Sequence, residues 1–198
     1  NNPEVIQPFI DSNRDATIML GHYGNWEWYI GLWPSIGNTV QSVNIYRKLK
    51  NKYFDTFFIK LRSRFGSVNV EKNSILRSLV RLKKEVDKPI LLAFISDQTP
   101  SRNNIHYWTN FLNQETPMLS GTERIARKLG HPVIYVDVIK KKRGYYECNL
   151  VLITDNAKNT EEFEITEKYT RLMEKTIMRD PAYWLWTHKR WKHKPTKN

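Results

Sequence analysis

The run Pro89-Ile90-Leu91-Leu92-Ala93-Phe94-Ile95 is seven apolar residues without a polar break. A run of that length fits a strand covered on both faces, which is the condition of a parallel sheet flanked by helices. The segment before it has a different period. Ile75, Leu79, Leu82 and Val86 fall on one stripe of a helix over Asn73 to Val86, and Arg77, Arg81 and Lys84 fall on the opposite side. Apolar strand after amphipathic helix is the unit of an α/β fold.

The same alternation runs along the chain. Ala16 to Gly21 reads as a short strand and Asn25 to Trp33 as a helix stopped by Pro34. Thr39 to Tyr46 reads as a strand, and Lys50 to Phe65 as a helix ended by Gly66. Thr116 reads as an N-cap with Pro117 at the first helical position, and Gly130 as the stop. On that reading Gly121 lies inside a helix, where glycine costs about 1 kcal/mol relative to alanine and signals a close approach. Val133 to Val138 and Tyr145 to Ile153 read as strands joined in a hairpin, and Glu161 to Met178 as the last helix. We therefore expect one catalytic domain over residues 1–198, an α/β fold with a mostly parallel, mixed central sheet flanked by helices. In such sheets, sites form at the carboxyl ends of strands. His22 and Asp97 stand at two such ends.

His22-Tyr23-Gly24-Asn25-Trp26-Glu27 places an imidazole and a carboxylate five residues apart across a strand-to-helix turn. Within a single helix that spacing separates them by roughly 140°. They meet only if His22 belongs to the turn and Glu27 to the first helical turn, with Gly24 permitting the bend. A carboxylate on one ring nitrogen fixes the tautomer and leaves the other nitrogen as a general base. The alternative is a histidine capping the turn beside a solvated helix acid. Asn25 either donates into the site or caps the helix. Arg47, after a strand, either stabilises a developing oxyanion, holds a phosphate by a two-pronged contact, or is a surface arginine in a basic run. Asp97 and Gln98 either position a polar substrate or cap the loop before Pro100. A zinc site would need further ligands, and no Glu-x-x-His or cysteine pair supplies them.

Composition narrows the partners. The 32 basic and 20 acidic residues leave a net charge of +12, which favours polyanions. Seven basic residues and one acid lie between Arg47 and Arg64, and five basic residues and no acid between Thr187 and Asn198. No RNP, KH or helix-turn-helix pattern is visible, so nucleic acid is not the expected partner. In the tail, tryptophans interleaved with Lys, Arg and His suit an anionic membrane surface or, alternatively, core packing under solvated charges. The single cysteine, Cys148, excludes an intrachain disulfide and a cysteine-cluster metal site. No stretch reaches the ~18 apolar residues that span a bilayer. The chain opens on Asn1 rather than Met, which suggests a fragment of a longer protein whose missing part carries a membrane anchor.

Four stretches together resemble one family. Gly21-His22-Tyr23-Gly24-Asn25-Trp26-Glu27-Trp28 is similar to the His-x4-acid signature of glycerolipid-type acyltransferases, in the Glu-containing form of the bacterial lipid A biosynthesis (lauroyl/myristoyl) acyltransferases. Ile45-Tyr46-Arg47-Lys48-Leu49-Lys50-Asn51 resembles the second motif. Ser96-Asp97-Gln98, Phe111-Leu112 and Thr116 to Gly121 resemble the third region, although Thr99-Pro100-Ser101-Arg102 departs from it. Trp184 to Lys192 resembles the C-terminal signature. The resemblance implies a glycerol-phosphate-acyltransferase-like fold and transfer of an acyl chain from an acyl carrier protein thioester to a hydroxyl of a lipid A precursor. It implies His22 as base, Glu27 as its orienting acid, and Asn25, Arg47, Asp97, Gln98 and Gly121 as substrate-binding residues. It implies no metal or other cofactor, and a place at the cytoplasmic face of the inner membrane. A related acceptor, such as a glycerophospholipid or aminolipid, is the nearest alternative.

Overall fold

A computed structural model describes residues 2–32 and 37–195. Six strands form the central sheet: β1 (Ala16–Leu20), β2 (Gln41–Tyr46), β3 (Val68–Glu71), β4 (Ile90–Ile95), β7 (Val133–Lys142) and β8 (Tyr145–Thr154), in the order β3-β2-β4-β1-β7-β8. All neighbours are parallel except β7 and β8, a hairpin. β5 (Trp108–Phe111) and β6 (Gln114–Pro117) pair separately. The helices are α1 (Gln7–Asp11), α2 (Lys52–Ser63), α3 (Ile75–Glu85), α4 (Gly121–Leu129) and α5 (Glu164–Arg179). The mixed α/β architecture agrees with the sequence reading.

β4 shows why its sequence has no polar break. Ile90, Leu92 and Phe94 enter one core with Ile75, Leu79 and Leu82 of α3, while Leu91 and Ala93 enter the other with Ile165, Tyr169, Met173 and Ile177 of α5. The strand is covered on both sides, so alternation disappears.

Three local expectations are corrected. Thr116 and Pro117 do not start a helix; they end β6, and α4 starts at Gly121 after Ser120. The β5–β6 turn uses Leu112 and Asn113 at positive φ, 50° and 62°, a conformation that glycine-based turn signals do not reveal. Gly121 therefore opens α4, and a Cβ there would meet nothing within 4 Å, so it marks no close approach. The segment after Asn25 is a 3-10 turn, Trp26–Gly31, rather than an α-helix; its expected end at Trp33 and Pro34 lies outside the described residues. β3 has no counterpart in the sequence reading. Among the described residues, no helix is long and apolar enough to cross a membrane.

Candidate active site

The register of the two central strands builds the site. β1 and β4 are parallel with Leu20 opposite Ile95. His22 and Asp97 each lie two residues beyond that pair, so the two chain segments leave the sheet side by side. The Asp97 carboxylate takes up both groups that His22 offers. Its Oδ1 lies 2.6 Å from His22 Nδ1, and its Oδ2 accepts from the His22 backbone N–H at 3.0 Å. The Trp184 indole Nε1–H donates to the same Oδ2 at 2.8 Å.

Asp97 is buried, and burial by itself would raise its carboxyl pKa. The hydrogen bond from His22, its positive charge when protonated and the Trp184 donor outweigh that and hold the group below its ordinary value. An ionised carboxylate only accepts, so Nδ1 of His22 carries the hydrogen and Nε2 keeps its lone pair. Nε2 lies 3.4 Å from the Gln98 side-chain amide. The Trp26 ring packs edge-on to the imidazole, centroids 5.3 Å apart.

The carboxylate that meets His22 is thus Asp97, and Glu27 is engaged elsewhere. Arg62 of α2 grips Glu27 with a fork: Nε donates to Oε2 at 2.9 Å and Nη2 to Oε1 at 2.5 Å. The 3-10 turn presents Glu27 toward α2, and a bidentate guanidinium partner is a strong one. Arg62 was one cation of a basic run in the sequence. Only its meeting with Glu27, 35 residues away, distinguishes it.

His22, Glu27, Arg62 and Gln98 line one cavity of about 640 Å³, together with Arg47 and Lys50. Apolar walls come from Leu20, Ile30, Ile45, Leu49, Phe58 and Ile95. Asn44 also lines it, and its buried Nδ2 has no hydrogen-bond partner among the described residues. A cationic rim over apolar walls suits an amphiphile with an anionic head. Asp97 sits behind His22 rather than on the cavity surface. Asn25 makes no side-chain capping bond and lies outside the cavity lining, as does Gly121. Among the described residues, no group of three His, Cys, Asp or Glu is arranged to hold a metal ion.

The C-terminal segment closes the site from behind. Tyr23 and Trp184 form an antiparallel bridge, Leu185 N–H donates to His22 O at 3.1 Å, and Gly24 N–H to Tyr183 O at 2.9 Å. Gly24 takes φ +59°, and a Cβ there would come within 2.8 Å of the Tyr146 ring, so glycine is needed at this turn. The Thr99 N–H, two residues past Asp97, donates to His188 Nε2 at 3.0 Å. Arg190 is buried, with Nη2 donating to Pro117 O at 2.8 Å and its guanidinium over the Phe111 ring. Of the tail residues that suited either a membrane surface or core packing, Trp184 and Arg190 are therefore structural, and Trp191 donates to Thr116 Oγ1 at 2.8 Å. Trp186 stays exposed.

Residues 1–193 match the family model for bacterial lipid A biosynthesis acyltransferases. The chain is similar to the lipid A biosynthesis palmitoleoyltransferase of Escherichia coli K12, 25% identical over 152 residues, covering 76% of this chain and 48% of that protein. It is similar to the lipid A biosynthesis acyltransferase of Shigella flexneri to the same extent. The chain spans about half the length of these curated relatives. With the match running through the His22 turn, the Asp97 loop and the tail that braces both, the chain belongs to the bacterial lipid A biosynthesis acyltransferase family.

Proposed function

We propose that residues 1–198 form a single catalytic domain that moves an acyl chain from a thioester on acyl carrier protein to a hydroxyl of a lipid A precursor, at the cytoplasmic face of the inner membrane. The observation that carries this reading is the Asp97-held His22, whose second ring nitrogen is on the side of a cavity with cationic and apolar walls.

In this mechanism the acceptor hydroxyl takes the place of the Gln98 amide at His22 Nε2. Nε2 removes the hydroxyl proton as the oxygen attacks the thioester carbonyl, and the Asp97 carboxylate stabilises the imidazolium that forms. The ester C–O bond forms, the C–S bond breaks, and the imidazolium returns the proton to the departing thiolate. No enzyme nucleophile is required. Arg47 and Lys50 receive anionic parts of the substrates. Asn44 Nδ2 offers a further donor to a substrate oxygen. Glu27 and Arg62 act as a pair: the carboxylate fixes the guanidinium at the wall, and α2 with it. The dyad partner of His22 in this proposal is Asp97, with Glu27 acting through Arg62.

The test is incubation of the protein with acyl carrier protein thioesters of several chain lengths and a lipid A precursor, followed by mass spectrometry of the lipid. The reading expects the acceptor mass to rise by one acyl group, and His22→Ala to abolish the gain. Absence of transfer to any lipid hydroxyl by the folded parent would overturn it.

A further inference from the structure

α2 has an apolar face that the fold leaves outside. Its buried residue is Asp55, whose Oδ1 accepts from the Leu49 N–H at 2.8 Å. No residue of α2 enters either hydrophobic core among the described residues. Tyr53, Phe57, Lys60 and Arg64 recur at spacings of four, three and four and so share a stripe, with Asp55 on the opposite side. Phe54 flanks that stripe, and Phe65 follows the helix. Tyr53 is 89% exposed, Phe54 59%, Phe57 57% and Phe65 52%. Four exposed aromatic rings within thirteen residues exceed the scattered apolar exposure that a surface ordinarily carries.

The charge around them has one sign. Arg47, Lys48, Lys50, Lys52, Lys60 and Arg64 are exposed, and none of them is in an ion pair among the described residues. Arg62, the remaining cation of this stretch, points the other way, into the cavity, where it holds Glu27. Protein interfaces are depleted in lysine, whereas aromatic rings interleaved with Lys and Arg suit the headgroup layer of an anionic bilayer. The face is also continuous with the candidate site: Leu49, Lys50 and Phe58 line the cavity and border the exposed rings.

We propose that the α2 face, Tyr53, Phe54, Phe57 and Phe65 with Lys52, Lys60 and Arg64, docks the protein onto an anionic lipid bilayer and sets the mouth of the cavity against it. The rings enter the headgroup layer, the cations neutralise lipid phosphates, and the acceptor lipid reaches His22 without crossing water. The tail contributes less to such a face, because Trp184 and Arg190 are committed to bracing Asp97 and its loop and Trp186 is the tail tryptophan left exposed. The delivery of a lipid to the cavity depends on the acyltransferase reading above; the docking itself does not.

The test is cosedimentation with phosphatidylglycerol–phosphatidylcholine vesicles against phosphatidylcholine alone, for the parent and two variants that avoid the cavity lining. Phe54→Ser with Phe57→Ser, and Lys52→Glu with Lys60→Glu, change exposed positions, so circular dichroism should match the parent. Each pair should weaken partitioning onto anionic vesicles about tenfold or more, and the charge variant should reduce its salt dependence. In parallel, transfer to a vesicle-embedded acceptor should fall in both variants while transfer to a detergent-dispersed acceptor stays at the parental level. Unchanged vesicle partitioning by folded variants would overturn the proposal. So would partitioning unchanged together with a shift from dimer to monomer in sedimentation, which would assign the face to a second copy. Altered partitioning with no transfer under any condition would uphold the docking face and count against the acyltransferase reading alone.

Discussion

Asp97 Oδ1 lies 2.6 Å from His22 Nδ1 although the two residues are 75 positions apart. The contact follows from the parallel pairing of Leu20 with Ile95, which sends both chains off the sheet at the same point. Two further donors then fix it: the His22 backbone N–H on Oδ2 and the Trp184 indole N–H on the same oxygen. A carboxylate with three donors has little freedom to leave, so the imidazole orientation is set before substrate binds.

Asp97→Asn tests that arrangement. The amide keeps the volume but presents a donor toward Nδ1, favouring the wrong tautomer. Turnover should fall by about 10²- to 10⁴-fold with KM little changed. Steady-state kinetics measure this, with circular dichroism to show the fold is kept. Parental turnover would mean His22 needs no acid at Nδ1. Trp184→Phe should reduce turnover less, because it removes one of the carboxylate's three donors and leaves the His22 contact.

The fork between Arg62 and Glu27 predicts coupled effects. Glu27→Gln and Arg62→Gln should each lower activity, and the double variant should be little worse than either alone. A double-mutant cycle should give a coupling of about 1–2 kcal/mol in kcat/KM. Strict additivity would show that the two side chains act separately.

His131 should make the protein acid-sensitive. Burial lowers its imidazole from 6.5 to about 4, so it folds neutral, with Nδ1 3.2 Å from Thr17 Oγ1. The unfolded chain takes up a proton below about pH 6.5, and the folded chain only near 4. The contribution of neutral His131 to stability is therefore complete above 6.5, declines as pH falls, and levels off below 4 after a loss of about 3 kcal/mol. Urea denaturation at pH 7.5 and 5 should show this decline in the parent and a flatter response in His131→Asn. Equal slopes would show that another group governs the acid limb.

Arg190 predicts a structural role for the tail. Burial pulls its guanidinium down to about 10, still a cation at neutral pH. Its partners are Pro117 O, the Met118 sulfur and the Phe111 ring, with Thr99 Oγ1 at 3.4 Å. Arg190→Ala should leave Pro117 O unpaired and a hole beside Phe111, costing roughly 3 kcal/mol. For a chain of this size, that corresponds to a melting shift of about 6–12 °C in a thermal scan. A shift below about 2 °C would show that the tail is not held through Arg190.

Much of the architecture is legible from periodicity. The uninterrupted apolar run at β4 and the stripe of α3 report burial directly, because each residue's environment there follows from its own element. The His22 turn and Asp97 loop are legible for the same reason, as polar residues at the ends of apolar strands. The β5–β6 turn is not, since Leu112 and Asn113 take left-handed backbone without a glycine to mark it. Nor is the role of the tail: a tryptophan beside lysines reads alike whether it faces lipid or, as Trp184 does, a buried carboxylate.

The amino-acid sequence alone determined the α/β class, the carboxyl-end placement of His22 and Asp97, and the cationic stretch from Arg47 to Arg64. Tertiary structure decided the partnerships. Hydrogen-bond choice depends on which side chains the sheet register and the turn geometry bring within 3 Å, and near neighbours in sequence have no priority in that competition. Strand register gave His22 to Asp97, and the 3-10 turn gave Glu27, five residues from His22, to Arg62.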